Sequence, residues 1–427
     1  MKTDNNSGVI LVAVVCFTAI TAILALGILS ESGSQLKMAD RQVRQEQAFY
    51  VAEGGAERAV SCIRNSAGAP PGVITGAIGN GTYGVTINSV AGAGLTSYTI
   101  VSTGEVNGVK KSVMMSGVRQ QTWARFALWY NDGPGAIWIR SGEVFNGPVH
   151  ANTFIYLRDD PIFNALISTT QNGWGPTSVT NAVAFNQGFQ WNAPVQDLTT
   201  SVNFTNLLSN ASLVITGSSQ IALSGTNVLI TNARRGWTAY TYPVPSNGLI
   251  YVRSTGAGTG TNAGTVQVGG TLDGRLSIAA DYDIGITNHI RYANTNIPYG
   301  TNTYGTNTSD DALGLIANHD VVVRTSAPNN LNIFAHIIAV GSATASQTDG
   351  SFYVQNHDSR AVSGFLNLWG GVVQFYRGAV GTFSGTTPVS GFSKRYTFDT
   401  RFLTDPPPRY PTVNDIYLWS GWRDKLP

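Results

Sequence analysis

Residues Val9 to Leu29, VILVAVVCFTAITAILALGIL, form an apolar run without a single charged side chain. As a helix with about 1.5 Å of rise per residue, this run would be about 31 Å long, which matches the hydrocarbon thickness of a bilayer. A secretory signal peptide, the rival interpretation, has a shorter apolar region of about 7–15 residues followed by a cleavage site between small residues. The sequence therefore predicts a retained membrane helix, and lipid is the first partner that we expect.

The helical pattern continues beyond the apolar run to about residue 65. Apolar side chains recur at three- and four-residue spacings and form one stripe, which includes Phe49, Ala52, Ala56, Val60 and Ile63. Charged side chains such as Glu53 cover the other faces, and the turn-forming SAGAPPG of residues 66–72 ends the pattern. A simple membrane anchor needs no such extension, so we expect the stripe to pack against another helix or a sheet.

A short leader that ends at Ser7 and Gly8 precedes the apolar helix, and the segment RQEQAFYVAEGGAERAV, residues 44–60, follows it. This arrangement resembles the N-terminal region of type IV pilin-like proteins, particularly the PilX-type minor pilins and the secretion pseudopilins. Its most specific part is the A-F-x-x-A-E core, which contains Phe49, Ala52 and Glu53. The resemblance implies that a prepilin peptidase removes residues 1–8 by cutting between Gly8 and Val9. It also implies that the helix of residues 9–66 packs against other pilin-like subunits.

Two features concern where such a subunit would lie. Most pilins carry a glutamate at the fifth residue after the cut, and this chain has Ala13; the resemblance is therefore to subunits at filament tips. Lys2 is the only basic side chain before the apolar run, while Lys37, Arg41 and Arg44 follow it. By the positive-inside rule alone, this distribution favours a cytoplasmic C-terminal side. The resemblance implies the opposite orientation, in the inner membrane with the large domain periplasmic or extracellular.

After residue 72 the helical periodicity gives way to short alternating strands. The first three lie within residues 81–90, 96–106 and 109–118. They predict a small α+β pilin-like module in which residues 67–122 pack on the helix. Residues 123–427 contain many short strands at irregular spacing, separated by Gly, Asn or Asp, which favours a parallel β-helix or solenoid over the alternative of a β-sandwich. The predicted fold is mainly β with one long N-terminal α-helix.

The second predicted domain also carries a resemblance. The motifs GPVHAN, GRLSIAADYDI and GFSKRYTFDTRF within residues 125–425 resemble a bacterial β-rich domain family, of uncharacterised chemistry, that often follows pilin-like N-termini. Charged residues make up only 12% of the chain and no basic stripe is visible, so we expect no nucleic-acid partner. The only cysteines, Cys16 and Cys62, are too few for a cysteine-based zinc site.

A few polar residues are candidates for chemistry. His150 in NGPVHAN, with Asn152 nearby, suggests a ligand or catalytic role, against which stands a structural histidine in a turn. Asp281 and Asp283 would point to one face of a strand, the geometry that β-helix polysaccharide lyases and hydrolases need for Ca²⁺ binding or acid–base work. The other histidines lack metal-site spacing; they are His289, His319, His336 and His357. We expect no enzymatic activity, no metal and no cofactor.

These features together predict a pilin-like membrane subunit for assembly of a pilus or a secretion apparatus, with a β-rich domain for recognition. The main alternative is a stand-alone membrane-anchored surface protein, or adhesin, for glycans. The nine Trp and seventeen Tyr of the chain could stack on sugars in such a protein. A carbohydrate-active β-helix enzyme is the third reading, and it requires Asp281 and Asp283 to line one groove.

Overall fold

The computed structural model describes residues 7–65, 70–91, 96–134, 137–180, 183–256, 263–294, 309–341, 349–385, 387–419 and 421–425. The α-helices in these ranges are α1 (Ser7–Asn65), α2 (Leu198–Ser201) and α3 (Phe204–Asn210). Short 3₁₀ helices are Trp123–Arg125, Ala233–Arg235 and Thr400–Leu403. By its contacts the chain divides into two units, the first of residues 1–90, 97–119 and 417–427 and the second of residues 91–96 and 120–416.

The strands of the described residues are β1 (Val73–Ile78), β2 (Gly81–Ala91), β3 (Thr96–Val106), β4 (Val109–Thr122), β5 (Leu128–Asp132), β6 (Val144–Phe145), β7 (Val149–Ala151), β8 (Ile162–Phe163), β9 (Ile167–Thr169), β10 (Ala184–Phe185), β11 (Phe189–Gln190), β12 (Leu213–Thr216), β13 (Ser219–Gly225), β14 (Asn227–Asn232), β15 (Trp237–Pro243), β16 (Leu249–Arg253), β17 (Val266–Leu272), β18 (Arg275–Ala280), β19 (Ile284–Tyr292), β20 (Ala312–Ala317), β21 (Val321–Val323), β22 (Asn332–Ala339), β23 (Phe352–Val354), β24 (Phe365–Tyr376), β25 (Gly381–Ser384), β26 (Thr387–Gly391), β27 (Ser393–Phe398), β28 (Thr412–Leu418) and β29 (Gly421–Lys425). Strands account for 45% of the chain, about twice the usual share of a globular protein. The prediction of a mainly β protein with one long N-terminal helix is therefore confirmed.

The helix α1 is continuous over 59 residues. It contains no proline, and Pro70 and Pro71 follow soon after its last residue, where a proline can no longer break a hydrogen bond of the helix. Its C-terminal part packs on an antiparallel sheet of order β1-β2-β3-β4. The turn between β3 and β4 is Asn107–Gly108, with both residues at positive φ, as a two-residue hairpin turn requires. The first unit is thus an α+β module.

The C-terminal strand β29 belongs to the first unit. It pairs antiparallel with β4, from Gly421 opposite Ser116 to Lys425 opposite Ser112. Its Trp422 ring lies 5.9 Å from the Phe49 ring of α1, in an edge-to-face arrangement. The sequence analysis assigns residues 123–427 to the second domain, whereas by contacts β29 lies in the first unit.

The second unit consists largely of parallel strands that pair with the strand after next. One ladder runs β12-β16-β18-β20-β22-β24 and another runs β13-β17-β19-β21-β23. A further parallel run, β5-β7-β9-β11, begins beside β24. A short three-stranded sheet of order β10-β8-β6 accompanies it. The spatial order therefore differs from the chain order, because β11 and β12 are neighbours in sequence but lie at opposite ends of this series of pairings.

The strands in the middle of the ladders are buried on both faces. Every residue of β20 and of β22 is buried, as expected for parallel strands covered on two sides. The segment from Phe402 to Tyr410 covers part of this sheet, where the carbonyl of Pro408 accepts a hydrogen bond from Ser277 Oγ at 2.5 Å. The phenol of Tyr410 lies 2.7 Å from Nδ1 of His336.

Candidate functional site

The N-terminal part of α1, residues 9–47, is largely exposed and begins with the apolar run from Val9 to Leu29. No residue from Val9 to Gln47 is buried within the chain, and the large side chains of the run from Val9 to Leu29 are more than half exposed. Within the described residues α1 is the one helix long and apolar enough to cross a membrane, by length and composition. Exposed Leu, Ile, Val and Phe in such number are unfavourable in water. The helix therefore fits a single-pass membrane-anchored protein.

The other half of α1 uses the predicted apolar stripe against the chain's own sheet. Ala52, Ala56, Val60 and Ile63 are buried with Val85, Ile87, Ile100, Val113, Met115 and Val118 of β2, β3 and β4. Phe49 packs against this cluster and is partly buried, and Glu53 is half-buried beside it. The stripe thus has a partner within the chain, and its use against other subunits stays a prediction.

Glycines set how closely the helix approaches the sheet. A Cβ at Gly55 would lie 2.5 Å from Oγ of Ser102 and 3.0 Å from the ring of Tyr83. A Cβ at Gly104, on β3, would meet the backbone carbonyl of Ala48 and would lie 2.5 Å from the amide nitrogen of Ala52. From the sequence alone, Gly55 is expected only to lower the stability of the helix. In the structure its missing side chain lets the sheet pack close to the helix.

The opposite face of α1 carries a second apolar line, which is exposed in the part of the chain that the structure describes. Leu29, Leu36, Val43 and Tyr50 follow one another at intervals of seven residues, and all four are more than half exposed. A seven-residue spacing keeps side chains on one side of a helix, with a drift of about 20° per interval. This line lies about half a turn from the buried alanines.

The predicted peptidase site lies at the start of α1. Gly8 and Val9 belong to the first turn of α1, and the Val9 side chain is 71% exposed. Residues 1–6 of the predicted leader lie outside the described residues. Cleavage between Gly8 and Val9 stays a prediction.

His150 and Asn152 lie together inside the second unit. His150 is 1% exposed. Its Nδ1 lies 2.8 Å from Oγ of Ser168, and its Nε2 lies 3.0 Å from Oδ1 of Asn152. The Asn152 amide nitrogen in turn donates to the Gln196 carbonyl at 2.7 Å. Burial lowers the pKa of His150 to about 4, so the ring is neutral near pH 7. Both ring nitrogens have partners in the fold, which is the arrangement of a structural histidine.

Asp281 and Asp283 do not share one strand face, contrary to the sequence expectation. Both lie at the corner between the end of β18 and the start of β19. Asp281 accepts hydrogen bonds from the Tyr251 hydroxyl and, at 2.7 Å, from the backbone amide of Ser254. Asp283 instead contacts His319 and Arg324. The expectation was wrong because the two residues span a corner, where the two-residue alternation of a strand does not hold.

His319 lies at the centre of a carboxylate cluster that the sequence reading did not identify. Its Nδ1 is 2.7 Å from Oδ1 of Asp283 and 3.3 Å from Oδ2 of Asp320, and its Nε2 is 3.1 Å from Oδ1 of Asp349. The Tyr282 ring stacks on the imidazole at 4.4 Å. Hydrogen bonding to Asp283 and the nearby carboxylates raise the pKa of His319 to about 9, against the opposing effect of its burial. The ring is therefore an imidazolium held between carboxylates.

Strand register explains the cluster. Ile284 of β19 pairs with Val321 of β21, and Val321 pairs with Phe352 of β23. The residues just before these strands are therefore stacked at one corner, and two of them are Asp283 and Asp320. The repeated pattern of an aspartate followed by a β-branched strand, in DIGI and DVVV, is the signal that could have revealed it.

This cluster is also the place where the described residues could hold a metal ion. One ligand atom each from Asp283, His319 and Asp320 lie within 4.8 Å of one another. Carboxylate oxygens with one imidazole nitrogen suit ions such as Mn²⁺ or Zn²⁺. The imidazole would first have to lose its proton, and the same atoms already bond to one another. The ion-pair role accounts for the geometry.

A pH titration tests the charged state of His319. The pKa of this histidine is raised from 6.5 to about 9 in the folded chain, so its contribution to stability is complete below about pH 6.5 and is lost as the pH rises through about 9. The difference in unfolding free energy between wild type and His319→Gln should therefore shrink over that interval. Urea unfolding of the full chain in detergent, followed by tryptophan fluorescence, measures it. A difference that stays constant from pH 6 to pH 10 would contradict the assignment.

Comparison with known proteins adds little to this picture. No protein-family model and no curated protein matches the chain. A solved structure to which it is similar is the competence-associated pilin ComZ from Thermus thermophilus, at 11% sequence identity and a TM-score of 0.31, over 90% of this chain and 98% of that chain. A TM-score this low does not establish a common fold.

Proposed function

We propose that the chain is a pilin-like membrane subunit, of the minor pilin or pseudopilin class, that assembles with other pilin-like subunits through α1. The observation that carries this proposal is that α1 has two apolar faces. The face of Ala52 and Ala56 packs on the chain's own sheet. The face of Leu36, Val43 and Tyr50 is exposed, at 69%, 53% and 66%. A helix that served only as an anchor would need no apolar line outside the lipid.

Helix length supports this reading. The unburied part of α1, residues 9–47, is about 58 Å long, and a hydrocarbon core takes up about 30 Å of it. Leu36 and Val43 therefore lie beyond the lipid when the run from Val9 to Leu29 spans it. Apolar side chains at seven-residue spacing are the pattern with which helices pack side by side. The proposed partner is accordingly the helix of another pilin-like subunit, within a membrane or a filament.

The second unit is, in this proposal, a parallel β-helix that serves recognition outside the cytoplasm. Support comes from strand pairing, because successive strands alternate between two parallel ladders. β16, β18, β20 and β22 add to one ladder while β17, β19, β21 and β23 add to the other. Parallel pairing of each strand with the strand after next is the arrangement that supports a solenoid. The orientation across the inner membrane and removal of residues 1–8 by a prepilin peptidase belong to the same proposal.

Charged substitutions on the outer face of α1 test the assembly role. A photo-crosslinking amino acid at Val43 should join the helix of another pilin-like subunit, with the cross-linked residue located by mass spectrometry. When Leu36→Lys is combined with the crosslinker at Val43, the yield of that cross-link should fall about tenfold or more, because a lysine buried between two helices must be desolvated. Membrane insertion should not change, since residue 36 lies beyond the run from Val9 to Leu29.

There are two matched controls at Gln42. One carries the same crosslinker at position 42, and the other combines Gln42→Lys with the crosslinker at position 43. Gln42 is exposed and lies one residue from Val43, about 100° around the helix. Equal cross-linking from positions 42 and 43, or full cross-linking in Leu36→Lys, would contradict the proposed interface.

Intact mass of the membrane fraction gives a separate answer on processing, because a mature chain would begin at Val9.

A further inference from the structure

The end of the second unit at β10 and β11 exposes aromatic rings in a segment without charge. Residues 161–196 contain no Asp, Glu, Lys, Arg or His, but they contain five Asn and four Gln. Phe189 and Trp191 are 46% and 42% exposed. We call this surface, formed by Asn186, Phe189, Gln190, Trp191 and Asn192, the aromatic end. All five residues are exposed.

The rings of the aromatic end are held in place from below. Phe145, Phe163 and Phe185 stack on one another at 5.4 and 5.7 Å, and Trp174 stacks on Phe185 at 5.4 Å. Phe189 contacts this column edge-on, and its ring lies 4.9 Å from that of Trp191. Rings fixed in this way lose little conformational entropy when a ligand binds, which makes them effective binding anchors.

A row of amides leads to the same surface. Asn164 donates from Nδ2 to Oδ1 of Asn146 at 2.7 Å, and Asn186 donates from Nδ2 to Oδ1 of Asn164 at 2.6 Å. All the donors point the same way along the row, so its last member, Asn186, presents its amide oxygen as an acceptor at the exposed end. The aromatic end thus combines apolar ring faces with neutral hydrogen-bonding groups.

These properties exclude several kinds of ligand. Nucleic acids and anionic membranes require Lys or Arg, and the segment has neither. Addition of a strand from another protein requires a long free edge, whereas β10 and β11 have two residues each. The chain also turns sharply at Gly188 and Asn192, both at positive φ, and Pro194 follows. Such short, interrupted edges do not template strand pairing.

We propose that the aromatic end binds a neutral polysaccharide. The C–H face of a pyranose ring is apolar and can lie on Trp191 or Phe189, while its uncharged hydroxyl groups can bond to the amides of Asn186, Gln190 and Asn192. Binding sites for small molecules generally combine aromatic walls with a few polar groups in this way. The proposal is independent of the assembly role of α1, since it concerns residues of the second unit alone.

Binding of defined oligosaccharides to the full chain in detergent tests this assignment. Cellohexaose and the β-1,4-linked hexamer of N-acetylglucosamine are the neutral probes, and hexagalacturonate is the acidic one. At least one neutral hexamer should bind, and hexagalacturonate should bind about tenfold or more weakly. Trp191→Ala should weaken the neutral hexamer about tenfold or more, and Asn186→Ala should weaken it to a lesser extent.

Tyr240→Ala is the matched control. Tyr240 is 48% exposed, but it stacks on Trp237, which lies under the guanidinium of Arg235, so it belongs to a charged surface. This variant should bind as wild type does. The proposal would be overturned if neither neutral hexamer bound, if hexagalacturonate bound equally well, or if Trp191→Ala kept full affinity. Dimerisation abolished by Trp191→Ala, without sugar binding, would also overturn it and would assign the surface to a second copy of the chain.

Discussion

Replacing Gly104 with alanine is expected to destabilise the first unit by about 3 kcal/mol or more. Gly104 is buried on β3, and an added Cβ would meet the backbone carbonyl of Ala48 and lie 2.5 Å from the amide nitrogen of Ala52. Both atoms belong to the backbone of α1, so no side-chain rotation relieves the contact. The helix must move off the sheet, and overpacking that shifts the backbone falls at the high end of mutational costs.

Gly84→Ala is the matched control for this prediction. Gly84 lies on the neighbouring strand β2, and a Cβ there would have nothing within 4 Å. Because glycine is unfavourable within a strand, this change should leave stability unchanged or raise it by about 0.5 kcal/mol. Hydrogen exchange of the full chain in detergent reports the amides of α1 near Ala52. Equal protection of these amides in the two variants would show that Gly104 does not set the helix–sheet distance.

Elements encoded by local patterns could be predicted from the sequence. The apolar run, the absence of proline and the turn residues from Ser66 to Gly72 predict the extent of α1 within a residue or so. Alternation predicts both ends of β3, and it predicts the start of β4 but ends that strand four residues too early. In each of these cases the deciding interaction joins residues close in sequence, so a short window contains the information.

Pairings between distant residues could not be predicted. β29 pairs with β4, some three hundred residues earlier in the chain. β5, the first strand of the second unit, pairs with β24, near the end of that unit's sequence. The sequence of neither strand identifies its partner. β29 is a short polar strand, and the strands of the parallel ladders share one pattern of short apolar segments. The pairing is decided by packing of the whole unit.

The candidate sites divide along the same line. The apolar stripe with Phe49, Ala52 and Ile63 follows from helical periodicity, but its partner, the chain's own sheet, does not. Asp281 and Asp283 stand out by spacing, yet their partners lie beside other strands, so that of the two only Asp283 reaches His319. Corner residues are brought together by register, and the sequence does not show register until the strand pairs are known.

The second unit contains a largely buried ion pair whose partners come from distant parts of the chain. Nζ of Lys394, on β27, lies 3.2 Å from Oε1 of Glu143, which precedes β6, and both side chains are at most 16% exposed. Lys394 also donates to the carbonyl of Trp138 at 3.3 Å. Burial lowers the pKa of Lys394, while Glu143 acts to raise it and Arg377 acts to lower it. Glu143 is therefore the group that allows a cation at this position.

Glu143→Gln is expected to cost about 3–5 kcal/mol of unfolding free energy, because it leaves Lys394 as a buried charge beside Arg377 without its partner. The double variant Glu143→Gln with Lys394→Met should recover most of this loss, since replacing both members of a buried pair is often nearly neutral. The deficit of the single variant should also shrink as the pH rises toward about 10.5, where lysine loses its proton in the unfolded chain too. Urea unfolding of the full chain in detergent at pH 7 and pH 10 measures both effects. A double variant as unstable as Glu143→Gln, with the same deficit at both pH values, would mean that Glu143 acts by packing rather than by its charge.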